Sequence, residues 1–194
     1  MTARVTLTEA LLREPLRAYL SSRSCVRAPK GAGKASAVLV PLFEREGAVH
    51  VWLLKRSAAL RQHSGQVAFP GGKHDPEDDS LLTTALREAH EEVGFGPHDV
   101  DVIGQLDDLV TITGFTITPF VAWVRSDLAP RPNGAEVARV FAAPVTAFFE
   151  TPTGDFPRIG WRIDGELVWG ATAAIARGLA NIIGEIVLPP LPGR

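Results

Sequence analysis

Residues 69–95 read FPGGKHDPEDDSLLTTALREAHEEVGF, and this stretch joins the end of a strand, an acidic loop and a helix. Over 81–93 the apolar residues recur at the helical period, which predicts an amphipathic helix whose apolar stripe packs on a sheet. Gly94 follows where helix ends favour glycine, and Asp78 or Asp79 is expected to cap the helix start. The other face of the helix is acidic and is left for solvent or for a ligand.

Three glutamates lie on this acidic face: Glu88, Glu91 and Glu92. Residues three and four apart are neighbours on a helix, so the three carboxylates can converge on one space. Their mutual repulsion destabilises the helix. Mg²⁺ binds carboxylate oxygens, so a bound ion would make the electrostatic contribution of these carboxylates favourable. Arg87 is spaced to pair with Glu91, and the carbonyl of Gly72 can approach the same cation because glycine has no side chain. The pattern predicts a metal and phosphate site, with a solvated acidic face as the alternative.

The rest of the chain alternates short apolar, β-branched runs with helical segments. Strands are predicted over 37–43, 49–54, 66–69, 100–106, 115–124, 137–141, 158–163 and 167–169, and helices over 6–21, 145–149 and 170–183. The run 70–72 is expected to end the strand before it, and Asp164-Gly165 is a hairpin signal. This order predicts an α/β (α+β) fold with a mixed sheet sandwiched between helices. We expect one domain over 1–194, in which helices 6–21 and 170–183 are additions to the core.

Composition limits the classes of function. The 194 residues include 20 basic and 22 acidic ones, for a net charge of −2, so we expect neither a nucleic-acid nor a membrane partner. Cys25 is the one cysteine, and the first residues lack a signal-peptide run, so we expect a cytoplasmic protein. Helix 170–183 is expected to be buried, and its broad apolar circumference is a reason to expect a homodimer. The basic loop 22–34 is either a solvated connector or a phosphate-contacting arm.

The stretch from Gly72 to Phe95 resembles a Nudix box, whose pattern is Gly, five residues, Glu, seven residues and Arg-Glu-hydrophobic-x-Glu-Glu-x-Gly-hydrophobic. The second half of this pattern, which begins at Arg87, matches at every position. The first half departs from it, because Asp78 stands in place of glutamate and eight residues separate it from Arg87. Either the loop is one residue longer than usual, or Asp79 takes the role of that glutamate.

The residues before the box are similar to the extra motif of coenzyme A pyrophosphatases, Leu-Leu-Thr-x-Arg-Ser/Ala-x3-Arg-x3-Gly-x3-Phe-Pro-Gly-Gly. The positions that match are Arg56, Ser57, Arg61, Gly65 and 69–72. Trp52 and Leu54 replace the usual leucine and threonine on a predicted strand. This resemblance implies that the chain cleaves coenzyme A at its pyrophosphate into 3′,5′-ADP and 4′-phosphopantetheine, a small-molecule reaction that uses Mg²⁺ or Mn²⁺.

The resemblance also implies roles for individual residues. The implied metal ligands are Glu88, Glu92, Glu91 and Gly72. The implied catalytic residues are Glu91, Glu92 and Arg87, with Arg87 acting through its pair with Glu91. The implied substrate-binding residues are Arg56, Arg61, Gly71 and Gly72. The general base is left open between Glu91 and another acid such as Glu136. Two other functions also stay open: a Nudix hydrolase of ADP-ribose, a dinucleoside polyphosphate or a nucleoside triphosphate, and a Nudix module that senses a nucleotide without cleaving it.

Overall fold

The computed structural model describes residues 6–60, 62–155 and 158–187, and in these ranges the apolar periods of the chain form the following elements. The helices are α1 (Glu9–Ser22), α2 (Leu81–Val93), α3 (Gly170–Val187) and a 3₁₀ helix (Val145–Phe149). The strands are β1 (Lys34–Arg45), β2 (Ala48–Arg56), β3 (Val67–Ala68), β4 (Gly71–Lys73), β5 (Val100–Gln105), β6 (Leu109–Val110), β7 (Phe115–Val124), β8 (Val137–Pro144), β9 (Gly160–Ile163) and β10 (Glu166–Trp169).

Strands β1 to β8 form a mixed sheet whose main path is β3-β2-β1-β7-β5. Strand β4 pairs with β1, β6 pairs with β7 and β8 pairs with β2. The β1–β7 pair is parallel and the other pairs are antiparallel. Strands β9 and β10 form a separate antiparallel hairpin, whose turn residues Asp164 and Gly165 both have positive φ, as a two-residue hairpin turn requires. The predicted fold class, a mixed sheet between helices, is confirmed.

The two faces of the sheet contact different helices because side chains alternate along each strand. On β1, Val40 and Leu42 belong to the core that α1 and α3 cover, whereas Ala37 and Leu39 belong to the core that α2 covers. Helix α1 was predicted to bury Leu11, Leu12, Leu16 and Leu20, and the last three are buried, whereas Leu11 is exposed. Full burial of one such leucine contributes about 1.5–3 kcal/mol, which holds α1 on the face of the sheet opposite α2.

The terminal helices differ slightly from their predicted bounds. Helix α1 starts at Glu9, is capped by Thr8 and continues through Pro15. Helix α3 extends four residues beyond its predicted end at 183. Within the described ranges α3 is the one helix long and apolar enough to cross a membrane, and 44% of it is buried. This is weak evidence for a span, because the core helix of a soluble protein meets the same criteria.

One local prediction around α2 is wrong. The cap is Ser80, whose hydroxyl accepts a hydrogen bond from the Thr83 amide at 3.1 Å, and not an aspartate. The strand before 70–72 ends as predicted, since β3 ends at Ala68, but Gly71–Lys73 then pairs with β1 as the separate strand β4. A Cβ on Gly71 would overlap the backbone of β1 at Val38, so glycine is what allows this pairing. The predicted end of α2 is confirmed, since Gly94 has φ of 77°.

Candidate active site

Helix α2 places its acidic face beside the Gly71-Gly72 turn. The predicted apolar stripe is confirmed, since Ala85, Ala89 and Val93 are fully buried against the sheet. Strand β4 contacts both α2 and β1, so the glycine backbone lies between the central strand and the helix. The acids of α2 therefore face a backbone segment that the sheet holds in place.

Arg87 binds three acids and organises this face. Its Nε and Nη2 donate to the two carboxylate oxygens of Asp78, each at 3.0 Å. Its Nη1 donates to Glu88 at 3.1 Å and to Glu91 at 3.2 Å. The paired guanidinium holds the pKa of Asp78 well below its ordinary value, and Asp78 in turn raises the pKa of Arg87. Arg87 thus positions acids, and the expected pair with Glu91 is present.

Asp78 is the loop acid that contacts helix α2. It forms a two-pronged ion pair with Arg87 and also accepts a hydrogen bond from the buried Thr84 hydroxyl at 2.8 Å. His74 contacts the same hydroxyl at 2.9 Å. Asp78, and not Asp79, is therefore the aspartate that contacts Arg87, and we expect Asp78 to take the role of the family's loop acid. Thr84 gave no signal in the sequence, because a single threonine within a helix pattern does not reveal a partner outside the helix.

Glu88 packs directly against Gly72. A Cβ added to Gly72 would overlap the carboxylate of Glu88, so this approach is open to glycine alone. Burial raises the pKa of Glu88, while Arg87 opposes the shift and the charges of Glu91 and Glu136 add to it. The carboxylate thus lies in a small space bounded by the glycine backbone and by other acids.

Glu92 is the most buried acid of the helix, with 3% of its surface exposed. One oxygen accepts a hydrogen bond from the Gly71 amide at 3.0 Å, and the other accepts one from Arg56 Nη1 at 3.2 Å. Burial raises its pKa to about 7, against the lowering effect of Gly71 and Arg56. The charges of Glu88 and Glu136 raise this pKa further.

The loop before β8 brings Glu136 to this site. Backbone hydrogen bonds tie the loop to the end of α2, from the Asn133 amide to the Glu92 carbonyl at 2.9 Å, and to the segment after β2, from the Ser57 amide to the Glu136 carbonyl at 2.8 Å. Glu136 is separated from Glu92 by more than forty residues of sequence. The structure therefore places the loop that carries Glu136 beside α2, which carries Glu91, and the general base stays open between these two acids.

The donor set fits a hard divalent cation. Burial raises the pKa of both Glu88 and Glu92, and the charges of neighbouring acids add to each shift. A cation beside these two carboxylates would remove that penalty. Glu91 stands slightly apart, because 55% of its side chain is exposed and its charge is paired with Arg87. Within the described ranges no three His, Cys, Asp or Glu side chains already surround one point. The three-acid ligand set with the Gly72 carbonyl therefore stays a prediction.

The predicted phosphate-binding residues have different outcomes. Arg56 contacts Glu92 and therefore lies at the site, whereas Arg61 lies outside the described residues. In the basic loop 22–34, Arg23 pairs with Asp107 and Arg27 donates to Gln105 at 2.9 Å. These contacts support a connector that binds the β5–β6 segment rather than an arm that reaches phosphate.

Comparison with known proteins agrees with this fold and this arrangement of residues. The NUDIX domain model matches residues 33–161, and the chain belongs to the Nudix family. It is similar to the uncharacterized Nudix hydrolase NudL of Cronobacter sakazakii, with 42% identity over 163 residues that cover 78% of this chain and 84% of that protein. The NudL protein of Escherichia coli is 40% identical over 162 residues, covering 78% and 83%.

Solved structures support the fold. The Nudix hydrolase RenU of M. smegmatis superimposes with a TM-score of 0.58 at 21% identity, over 83% of this chain and 90% of that one. A NUDIX hydrolase from Nitrosomonas europaea gives a TM-score of 0.54 at 20% identity, over 79% and 71%. At these identities the likeness concerns the fold. Family and fold together make the chain a Nudix pyrophosphohydrolase that acts on a nucleoside diphosphate derivative, and enzymes of this family generally use divalent metal ions.

Proposed function

We propose that the chain hydrolyses the pyrophosphate of coenzyme A or its derivatives to 3′,5′-ADP and 4′-phosphopantetheine. The observation that carries this proposal is the contact between Arg56 and Glu92, at 3.2 Å. Arg56 belongs to the coenzyme A motif and Glu92 to the Nudix helix, and 36 positions separate them. Since the Gly71 amide of the same upstream motif binds the other oxygen of Glu92, residues of both motifs contribute to one site.

The acids of α2 hold the cation in this proposal. Glu88, Glu92 and the Gly72 carbonyl are the ligands, with Glu91 as a further ligand directly or through water. When bound, Mg²⁺ or Mn²⁺ neutralises pyrophosphate oxygens and lowers the pKa of a bound water. Arg87 keeps Glu88 and Glu91 in place through its hydrogen bonds to both. Glutamine substitutions of Glu88 and of Glu92 are expected to abolish most turnover at saturating Mg²⁺, and near-full turnover by either variant would contradict the ligand assignment.

Substrate phosphates are the proposed ligands of the upstream arginines. Guanidinium groups suit phosphate oxygens because they offer two parallel N–H donors. Arg56 donates to Glu92 through Nη1, whereas its Nε is buried without a protein acceptor among the described residues. Gly71 and Gly72 are the proposed backbone contacts of the phosphate, because their backbone lies directly beside Glu92 and Glu88. Two acids, Glu91 and Glu136, are candidates for the general base, and a glutamine variant of each separates them. The variant that removes the general base is expected to lose the fall in rate at acidic pH that its protonation causes.

A product-resolved substrate panel tests the choice of coenzyme A. The purified chain is incubated with coenzyme A, ADP-ribose, a dinucleoside tetraphosphate and a nucleoside triphosphate, each with Mg²⁺, with Mn²⁺ and with EDTA. We expect the highest kcat/KM for coenzyme A, release of 3′,5′-ADP, and no product in EDTA. A higher kcat/KM for any other substrate in the panel would contradict the proposal and would leave the chain a Nudix hydrolase of a different nucleoside diphosphate derivative.

A further inference from the structure

A cleft lies beside β8 and shares no residue with the carboxylate site of α2. It has a volume of about 650 Å³, and β8, Trp52 of β2, Arg45 at the end of β1 and the β9–β10 hairpin form its walls. Clefts of this volume accommodate small molecules of the size of a nucleotide. Trp52 and Arg56 are four residues apart on the same strand, so their Cα atoms are roughly 13 Å apart at the usual rise of an extended chain.

The walls of this cleft carry an excess of positive charge. Three arginines line it, Arg45, Arg139 and Arg162, against one carboxylate, that of Asp164. Arg139 is already paired, because it donates to Asp164 and lies 3.7 Å from Glu166. Within the described ranges, Arg45 and Arg162 have no acidic group within ion-pair distance. Two guanidinium groups thus face a common space without a counter-charge, an arrangement that an anion with several oxygens would neutralise.

Aromatic rings border the same space. Trp52 stacks on Phe43 with ring centroids 4.3 Å apart and planes 4° from parallel, which covers one face of the indole and fixes its orientation. Arg139 lies over the ring of Phe141, with its guanidinium carbon 5.3 Å from the centroid. A fixed indole beside uncompensated guanidinium groups suits a ligand that combines a planar ring with phosphate, since bases stack on aromatic side chains and on arginine planes.

We propose that the cleft beside β8 binds a nucleoside phosphate, with its phosphate oxygens on Arg45 and Arg162 and its base against Trp52. Inorganic phosphate would neutralise the arginines alone and would make no contact with the indole. The nucleotide has two chemical sources: the adenosine phosphate end of the substrate, in which case the inference rests on the proposed function, or a separate nucleotide. Both sources present the same groups to the cleft.

Calorimetric titration of AMP into the full chain in EDTA tests the site without turnover. The wild type is expected to bind AMP saturably, and R45Q/R162Q is expected to bind it at least about tenfold more weakly, since each charge-assisted hydrogen bond contributes on that scale. R125Q is the matched control, because Arg125 is an exposed arginine paired with Asp127 and lies outside this cleft. Absence of saturable binding by the wild type, or unchanged affinity of R45Q/R162Q, would overturn the proposal.

Two further arms define the ligand. W52L is expected to weaken AMP binding while leaving inorganic phosphate binding unchanged, and thermal melting shows whether this variant is folded. Phosphate binding by the wild type as tight as AMP binding would overturn the assignment to a nucleotide. In the presence of Mg²⁺, a higher KM for coenzyme A in R45Q/R162Q at constant kcat identifies the substrate's own nucleotide end, and an unchanged KM identifies a separate nucleotide. Because the titration needs no hydrolysis, its failure is distinct from a failure of the proposed function.

Discussion

At the scale of one residue, the burial of the Glu92 carboxylate lowers the stability of the fold. The side chain is nearly inaccessible, yet it must be ionised to bind a cation, and its pKa rises from 4.5 to about 7 on folding. Arg56 and the Gly71 amide offset only part of the desolvation. A buried acid of this kind costs stability, and its retention is expected where function requires a charged group.

The first prediction concerns the stability of the metal-free chain. Between pH 4.5 and about pH 7 the folded chain holds a proton on Glu92 that the unfolded chain releases. The stabilisation that this bound proton provides, relative to the ionised carboxylate, is therefore fully present below pH 4.5. It is lost as the pH rises through 7, which lowers the free energy of unfolding by about 3 kcal/mol. Urea unfolding in EDTA at several pH values across this range measures the free energy of unfolding. In E92Q this free energy is expected to lack the part of the pH dependence that comes from Glu92. An identical pH dependence in E92Q and wild type would contradict the burial argument.

The second prediction concerns the two adjacent aspartates of the loop. Asp78 binds Arg87 through both oxygens, so D78N loses the charge that holds the guanidinium against the helix acids. We expect kcat/KM to fall by roughly 10- to 100-fold, the usual cost of losing a residue that orients metal ligands. D79N is the matched control and is expected to keep full activity. Steady-state assays on both variants check this, and an equal loss in D79N would show that the loop was assigned to the wrong aspartate.

Some of these contacts could be predicted from the sequence and others could not. The spacing of Glu88, Glu91 and Glu92 was sufficient to place the acids on one helix, and the family pattern identified Arg87. The sequence did not reveal that Asp78 leaves the cap position to Ser80, because its partner Arg87 lies nine positions away. It also could not bring Glu136 to Glu92, since that placement depends on backbone hydrogen bonds from the loop before β8.

At the scale of elements, the segment between β3 and α2 places the backbone of Gly71 and Gly72 beside the acids of α2. Helix α2 was predicted accurately because its apolar period is regular and Gly94 ends it. The short strands β4 and β6 escaped prediction, since strands of three and two residues carry too few side chains for a period to be visible. Strand β4 matters most, because its pairing with β1 holds Gly71 and Gly72 against Glu92 and Glu88.

The third prediction separates the two glycines. In G72A the new Cβ meets the carboxylate of Glu88, a side chain that can rotate away. We therefore expect a small change in melting temperature and a fall in kcat of roughly 100-fold, as small displacements of catalytic groups produce.

The matched variant is G71A, in which the Cβ meets the β1 backbone at Val38. A backbone cannot rotate away, so G71A is expected to lose about 1–3 kcal/mol of stability. Thermal melts and assays of both variants check the pair. A strongly destabilised but active G72A would contradict the role given to this turn.

At the scale of the whole molecule, the sheet separates the catalytic helix from the terminal helices. The apolar residues of α3 that suggested a homodimer include Ile175, Leu179, Ile182 and Ile183, and all four are buried in the chain's own core. Helix α3 therefore leaves less apolar surface for a partner than its sequence suggested. The homodimer and the single domain over 1–194 stay predictions. Light scattering at micromolar concentration tests the first, and one cooperative unfolding transition is expected for the second.

The most direct test of this account is anomalous diffraction from crystals grown with Mn²⁺ and coenzyme A. We expect a manganese peak within coordination distance of the carboxylates of Glu88 and Glu92, close to the carbonyl of Gly72, and loss of that peak in E88Q crystals. Full substrate density with no manganese beside these two glutamates would contradict the claim that buried carboxylates at the end of α2 hold the cation.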